Sequence, residues 1–142
     1  MADLVATWAN DYVGIPFIDK GRDVTGLDCW GVIYLVFKEE LTIDIPSYTE
    51  FYMTISELRE LAALIKNKID PAVWIKVETA PCIGDAILFR VKDYHAHVGV
   101  VVGGGYMLHA LENIGTCCDK FYGSRWRDRI IGMYRHKDMF PK

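Results

Sequence analysis

The hydrophobic pattern of this chain changes period partway along, and that limits the folds open to it. In the first half, apolar residues recur at helical spacing or run together: Leu4, Val5, Trp8 and Tyr12, then Val32 to Phe37, then Leu58, Leu61, Ala62, Leu64 and Ile65. In the second half, Ala86 to Val91, Val98 to Val102, Tyr106 to Ala110 and Ile130 to Tyr134 read as strands. Gly103-Gly104-Gly105 between two of them is a tight turn, because glycine tolerates the positive φ that a hairpin turn demands. Helices followed by antiparallel strands predict an α+β domain. At 142 residues and 51% hydrophobic, the chain is long enough for one domain with its own core, spanning 1–142. It carries no repeat, low-complexity tract or linker.

A first helix runs from Asp3 to about Val13 and is stopped by Gly14 and Pro16. The mixed polar segment Phe17 to Thr25 is a loop. A second helix begins near Cys29 and ends near Glu40, followed by a loop over Leu41 to Tyr48 that holds Pro46. A third runs from about Thr54 to Ile69, with Lys66 and Lys68 near its C-terminus, where the helix dipole favours them.

The segment Gly26-Leu27-Asp28-Cys29-Trp30-Gly31 carries the chemistry. Gly26 breaks what precedes and Asp28 is placed to cap the helix. Cys29 then lies in the first turn, near unpaired N–H groups and the positive end of the dipole, which favour thiolate over thiol. The thiolate is the nucleophilic form, so Cys29 is expected to be the most reactive of Cys29, Cys82, Cys117 and Cys118. A histidine base is needed. His97 opens the strand before the glycine turn and His109 closes the one after it. They stand seven and five residues from the middle glycine. In a hairpin they are nearly opposite each other and within reach on one face. One imidazole can take the thiol proton while the other holds it in the right tautomer. His95, His97 and His109 form the competing reading, a zinc site, but the ligand spacing is poor and neither metal nor cofactor is expected. Adjacent Cys117 and Cys118 read as ordinary strand or loop residues, and no disulfide framework is expected.

A formal net charge of −3 and a pI near 5.8 argue against a nucleic-acid partner. The basic stretch Arg125 to Arg129, interrupted by Asp128, reads as a solvated rim. The start, Met1-Ala2-Asp3-Leu4, has no basic n-region or apolar run, so synthesis in the cytoplasm without a signal peptide is expected. No stretch reaches the roughly 18 apolar residues of a membrane span.

The ordered motifs resemble those of the NlpC/P60 cysteine peptidases, most closely the tail-associated members of phages and prophages. Tyr12-Val13-Gly14-Ile15-Pro16-Phe17 resembles the family's opening, followed by Gly21-Arg22 and Asp28-Cys29-Trp30-Gly31. Leu41 to Pro46, Gly84-Asp85-Ala86-Ile87-Leu88-Phe89, His97-Val98-Gly99-Val100-Val101 and His109-Ala110 complete the series. The resemblance implies a papain-like fold, with a helix carrying the nucleophile packed on an antiparallel sheet carrying the histidines. It implies Cys29 as nucleophile, His97 as general base and His109 as the residue orienting it. It also implies hydrolysis of a peptidoglycan stem peptide, commonly between γ-D-glutamate and diaminopimelate or lysine, with phage tail proteins as partners and association with the virion.

Phe17, Arg22, Asp28 and Trp30 flank the nucleophile and are the candidate substrate contacts; Asp28 is also the cap. Asp19, Arg22 and Asp23 can meet a charged stem peptide. Phe17 stands where the family commonly has Tyr, and Tyr12 or Tyr34 is a candidate to supply the missing hydroxyl. Two other readings fit the same motifs: a structural or assembly component of a tail with little catalysis, and a papain-like amidase or acyltransferase acting on another small amide or lipid.

Overall fold

The computed structural model describes residues 4–49, 71–91 and 95–140. Its elements in chain order are β1 (Arg22–Asp23), β2 (Gly26–Leu27), α1 (Cys29–Val36), β3 (Trp74–Lys76), β4 (Ala86–Val91), β5 (His95–Gly103), β6 (Tyr106–Leu111), β7 (Gly115–Lys120) and β8 (Ile130–His136). The α+β reading holds: one α-helix packs on a six-stranded antiparallel sheet of order β3-β8-β4-β5-β6-β7.

The two faces of the sheet build two cores because side chains alternate along a strand. Val98, Val100 and Val102 of β5 and Leu108 and Ala110 of β6 face α1 and pack with Leu27, Trp30, Val32, Ile33 and Val36. Val101, Met107, Ile87 and Phe89 face the other way and are covered by Phe121 and Trp126. The second cluster is smaller and is closed by the segment between β7 and β8 rather than by a helix.

The strands predicted from sequence are present, and β5 is longer than expected at both ends. The glycine turn has φ of +99°, +63° and +81° at Gly103, Gly104 and Gly105, a conformation L side chains rarely adopt. Four strands are not predicted from the sequence. β1 and β2, two residues each, pair as a hairpin that begins in the expected Phe17–Thr25 loop and ends just beyond it, too short to show a period. β3 is also short, and β7 is a polar strand, Gly-Thr-Cys-Cys-Asp-Lys, paired along its whole length with β6.

The first helix is a correction. Only Thr7–Asp11 forms a single 3₁₀ turn, without a side-chain cap. The N–H of Ala6 donates to the carbonyl of Val102 at 2.8 Å, so the entering chain is held along the sheet instead of coiling. Leu4 is left 86% exposed, not on a buried stripe. The cysteine helix does reach Leu41, but its last turn, Phe37–Leu41, is π-helical and ends at Thr42 with φ of 55°. The expected helix over Thr54 to Ile69 lies outside the described residues. Among the described residues no helix is long and apolar enough to cross a membrane.

The Gly84-Asp85 motif locks the sheet. Asp85 is fully buried and takes both ends of the Arg135 guanidinium, Nε to Oδ1 and Nη2 to Oδ2, each at 2.8 Å. Its Oδ2 also accepts from the Cys82 N–H at 2.8 Å. This bidentate pair joins the start of β4 to β8, with geometry specific to Arg.

Candidate active site

Asp28 caps α1 as the sequence predicts. Its backbone is extended and its Oδ1 accepts from the Gly31 N–H at 2.8 Å. The same carboxylate takes Arg22 Nη1 at 2.7 Å and the Lys20 N–H at 3.1 Å. Arg22 also donates to the Ser47 carbonyl through Nε and Nη2, at 3.0 and 2.7 Å. Asp28 and Arg22 therefore brace the turn that presents the cysteine to β5. Gly31 permits this: a Cβ there would collide with the carbonyl of Gly21.

Cys29 is 3% exposed at the start of α1, beside the backbone N–H of Val98 on β5. His97 precedes Val98, and its ring packs with Phe89 and Trp126 on the other face of the sheet; among the described residues its ring hydrogen-bonds to His109 and not to Cys29. Its Nε2 lies 2.8 Å from His109 Nδ1, and His109 Nε2 lies 2.7 Å from Asp119 Oδ2. Three neighbouring strands thus supply one file of groups: β5, β6 and β7. Two physical details set the pairing. The β5–β6 register pairs Val100 with Leu108 and Val101 with Met107, which puts Gly99 across from His109. The histidines are diagonal, not opposite, and the missing side chain at Gly99 leaves the space across which they meet. A Cβ there would lie 3.5 Å from His109 Cβ.

The file fixes a tautomer. A carboxylate accepts, so His109 carries its proton on Nε2 and presents a bare Nδ1. That atom in turn accepts from His97 Nε2–H, which leaves the lone pair of His97 on Nδ1. Trp126 covers the file, stacked on His97 with ring centres 5.5 Å apart and edge-on to His109 at 5.0 Å. Phe89 closes the other side of His97. Burial, then the neighbouring His109, pushes His97 down to about 3. Burial also holds His109 below the ordinary imidazole range, although Asp119 pulls upward.

The thiol departs from expectation. Burial, then the charge of Asp28, pushes Cys29 up to about 12, despite lowering contributions from the Val98 and Trp30 N–H groups. The helix start does not by itself favour a thiolate here, because Cys29 is buried and the capping carboxylate sits beside it. Burial opposes the charged form of both the cysteine and the histidine.

The other candidates separate. Trp30 is a core residue whose indole N–H donates to the Pro46 carbonyl at 2.8 Å and whose ring packs on Tyr48 and Trp74. Phe17 is bridged to Leu27 and lines a surface cavity of about 470 Å³ with Pro16, Asp19, Glu112, Asn113 and Ile114. Asp23 is exposed and holds Thr25. Tyr12 does not stand in for the missing hydroxyl: it donates to Glu40 at 2.7 Å, at the far end of the cysteine helix. His95 lies on β5, and its side chain is outside the described residues.

Two members of the site escaped sequence reasoning. Asp119 comes from the polar strand β7, and its only signal is that it lies two residues from Cys117, which pairs with His109. Trp126 was hidden in the basic stretch. Arg125 and Arg129 lie over its ring at 5.1 and 5.6 Å, while Arg127 and Asp128 form the exposed rim.

The chain is similar to known proteins over most of its length. The NlpC/P60 family model matches residues 14–135. The probable endopeptidase p60 of Listeria grayi is 27% identical over 128 residues, which is 89% of this chain and 21% of that protein. The murein DD-endopeptidase MepS/murein LD-carboxypeptidase of Escherichia coli K12 is 24% identical over 119 residues, 84% of this chain and 54% of that one. The γ-DL-glutamyl hydrolase of Bacillus subtilis is 23% identical over 138 residues, 94% of this chain and 29% of it. The chain thus spans from about a fifth to about half the length of these relatives. Among solved structures, a family protein from Bacillus cereus superposes with a TM-score of 0.61 at 19% identity, covering 90% of this chain and 37% of that one. The NlpC/p60 domain of the peptidoglycan hydrolase SagA gives 0.57 at 20% identity, covering 89% of this chain and 92% of that one. These likenesses show the shared papain-like fold. With its family model running from the turn before the cysteine to the last strand of the sheet, the chain belongs to the NlpC/P60 family.

Proposed function

We propose that this protein is a cysteine peptidase that hydrolyses an amide bond in peptidoglycan stem peptides, with Cys29 as nucleophile and His97 as general base. The observation that carries it is the hydrogen-bonded file His97–His109–Asp119, on a sheet whose Val98 N–H lies beside a cysteine at a helix start. Its tautomer leaves His97 Nδ1 as the proton acceptor. Burial opposes charge on both groups, and in this reading the proton passes from Cys29 to His97 as the sulfur attacks the carbonyl. The Cys29 N–H, at the first position of α1, is the oxyanion donor of this reading. His97 then protonates the leaving amine, and water, activated by the same ring, hydrolyses the thioester. His109 orients His97, and Asp119 orients His109.

The relatives' names support a wall peptide as substrate, since they include a murein endopeptidase and a γ-DL-glutamyl hydrolase. The scissile bond of this reading is that between γ-D-glutamate and diaminopimelate or lysine. Asp19 and Glu112 make the Phe17 cavity suited to a cationic group of such a peptide. A phage or prophage tail is the setting that the sequence resemblance supports. Purified muropeptides incubated with the protein and read by mass test the reaction. Wild type should release γ-D-glutamyl products, and Cys29→Ala should be folded and inert, because no thioester can form. A wild-type protein inert on every wall peptide would sink the assignment. Co-purification with particles tests the tail setting separately.

A further inference from the structure

We propose that His109 Nε2, Cys117 Sγ and the Asp119 carboxylate form a binding site for one Zn²⁺-like cation, and that its occupation switches the histidine file off. The three donor atoms lie within 4.8 Å of one another. Two separations are known more closely: Nε2 to Oδ2 of Asp119 is 2.7 Å, and Cys117 Sγ to the same oxygen is 3.8 Å. Zinc bonds of about 2.0–2.3 Å at tetrahedral angles need donors roughly 3.3–3.7 Å apart. The sulfur–oxygen pair must close by about 0.1 Å and the nitrogen–oxygen pair must open by about 0.6 Å, which a turn of the Asp119 side chain supplies. The ligands stand on paired strands, not on a loop. His109 is registered directly against Cys117, and Asp119 is the next residue on the same face of β7. Asp119 is 36% exposed, so the ion has a way in and water has the fourth position.

The donor set is one nitrogen, one sulfur and one oxygen. It suits zinc or cobalt and not magnesium or calcium, which take oxygen ligands. Thiolate and carboxylate together balance the charge of the ion. Arg125 is the cation on the edge of this cluster, held over Trp126, and its charge opposes binding.

The effect on the file follows from proton bookkeeping. The metal takes the lone pair of His109 Nε2, so the ring's proton must sit on Nδ1. That proton now donates to His97 Nε2, and the proton of His97 is displaced to Nδ1. The atom that should accept the Cys29 proton is then occupied. The two imidazoles keep one proton each, and only the Cys117 thiol proton is released to solvent. This consequence rests on the peptidase reading; binding of the ion does not.

Cobalt(II) titrated into the full-length Cys29→Ala protein reads the site directly. A thiolate-to-cobalt absorption saturating at one equivalent is expected, and it should vanish in Cys29→Ala/Cys117→Ser. No such band, or one that survives loss of Cys117, overturns the site. In the cleavage assay, zinc should inhibit the wild type reversibly on chelation. Cys117→Ser should keep its uninhibited rate and need at least about ten-fold more zinc. Equal inhibition of both would place the ion on Cys29 and His97 and overturn the switch. A protein inert on wall peptides would end the peptidase reading while the cobalt band still decides the site.

Discussion

In the proposed mechanism Asp119 acts through two rings, so its removal should show in turnover and not in binding. Without the carboxylate, His109 is free to take the other tautomer, and His97 loses the acceptor that keeps its Nδ1 bare. Asp119→Ala is expected to lower kcat about 10–100-fold with KM nearly unchanged. A change confined to KM would contradict the role. His97 makes a second prediction at this scale. Its ionisation is depressed to about 3 in the folded protein, against an ordinary value near 6.5. Between those values the unfolded chain binds a proton that the folded one refuses. This contribution to stability is therefore present above pH 6.5 and is lost as pH falls toward 3. His109 and His136 are lowered too and act in the same direction. Urea midpoints measured from pH 7 to 4 should fall, and fall less steeply in His97→Gln. Identical slopes in the two proteins would show that His97 is not held neutral by the fold.

At the scale of elements, the site depends on the pairing of β5 with β6 and on what that pairing omits. Gly99 faces His109, and a Cβ there would lie 2.9 Å from Met107 Sδ and 3.3 Å from the Leu108 carbonyl. Gly99→Val should displace the His109 ring. The stability loss from overpacking is about 1–3 kcal/mol, whereas a ring misplaced by an ångström costs about a hundred-fold in cleavage. Thermal melts and turnover measured on the same preparation check this. Full activity in a folded Gly99→Val protein would show that the gap is not needed. The cysteine helix has the complementary dependence: Asp28 caps it and anchors Arg22, so one carboxylate both shapes the turn and raises the thiol beside it.

Taken as a whole molecule, the protein buries Cys29, the proposed nucleophile, and accessibility orders the thiols differently from helix position. Cys29 is buried, Cys82 is exposed, and Cys117 and Cys118 lie between. A thiol alkylating agent near neutral pH is expected to modify Cys82 first and Cys29 slowly, the reverse of the order that helix position alone suggests. Mass mapping of the labelled sites over time checks it, and rapid labelling of Cys29 would mean that the site opens readily. The reason for the reversal also marks the reach of the sequence. Local signals were legible because they act over a few residues: Asp28 capping at the start of α1, the glycine turn, the alternation that puts His97 and His109 on one face, and the change of period that separates helix from sheet. The motif order carried the family in the same way. Signals that act across the sheet were not legible. A polar strand such as β7 has no apolar period, so Asp119 had nothing to announce it, and the run from Leu4 to Tyr12 was helical in pattern until Ala6 found Val102. The sequence by itself determined the α+β class, the capped cysteine and the pair of histidines. The tertiary structure alone decided that the pair is diagonal across Gly99, that Asp119 and Trp126 lie against it, and that burial opposes charge on cysteine and histidine, because register and desolvation arise only when distant segments pack together.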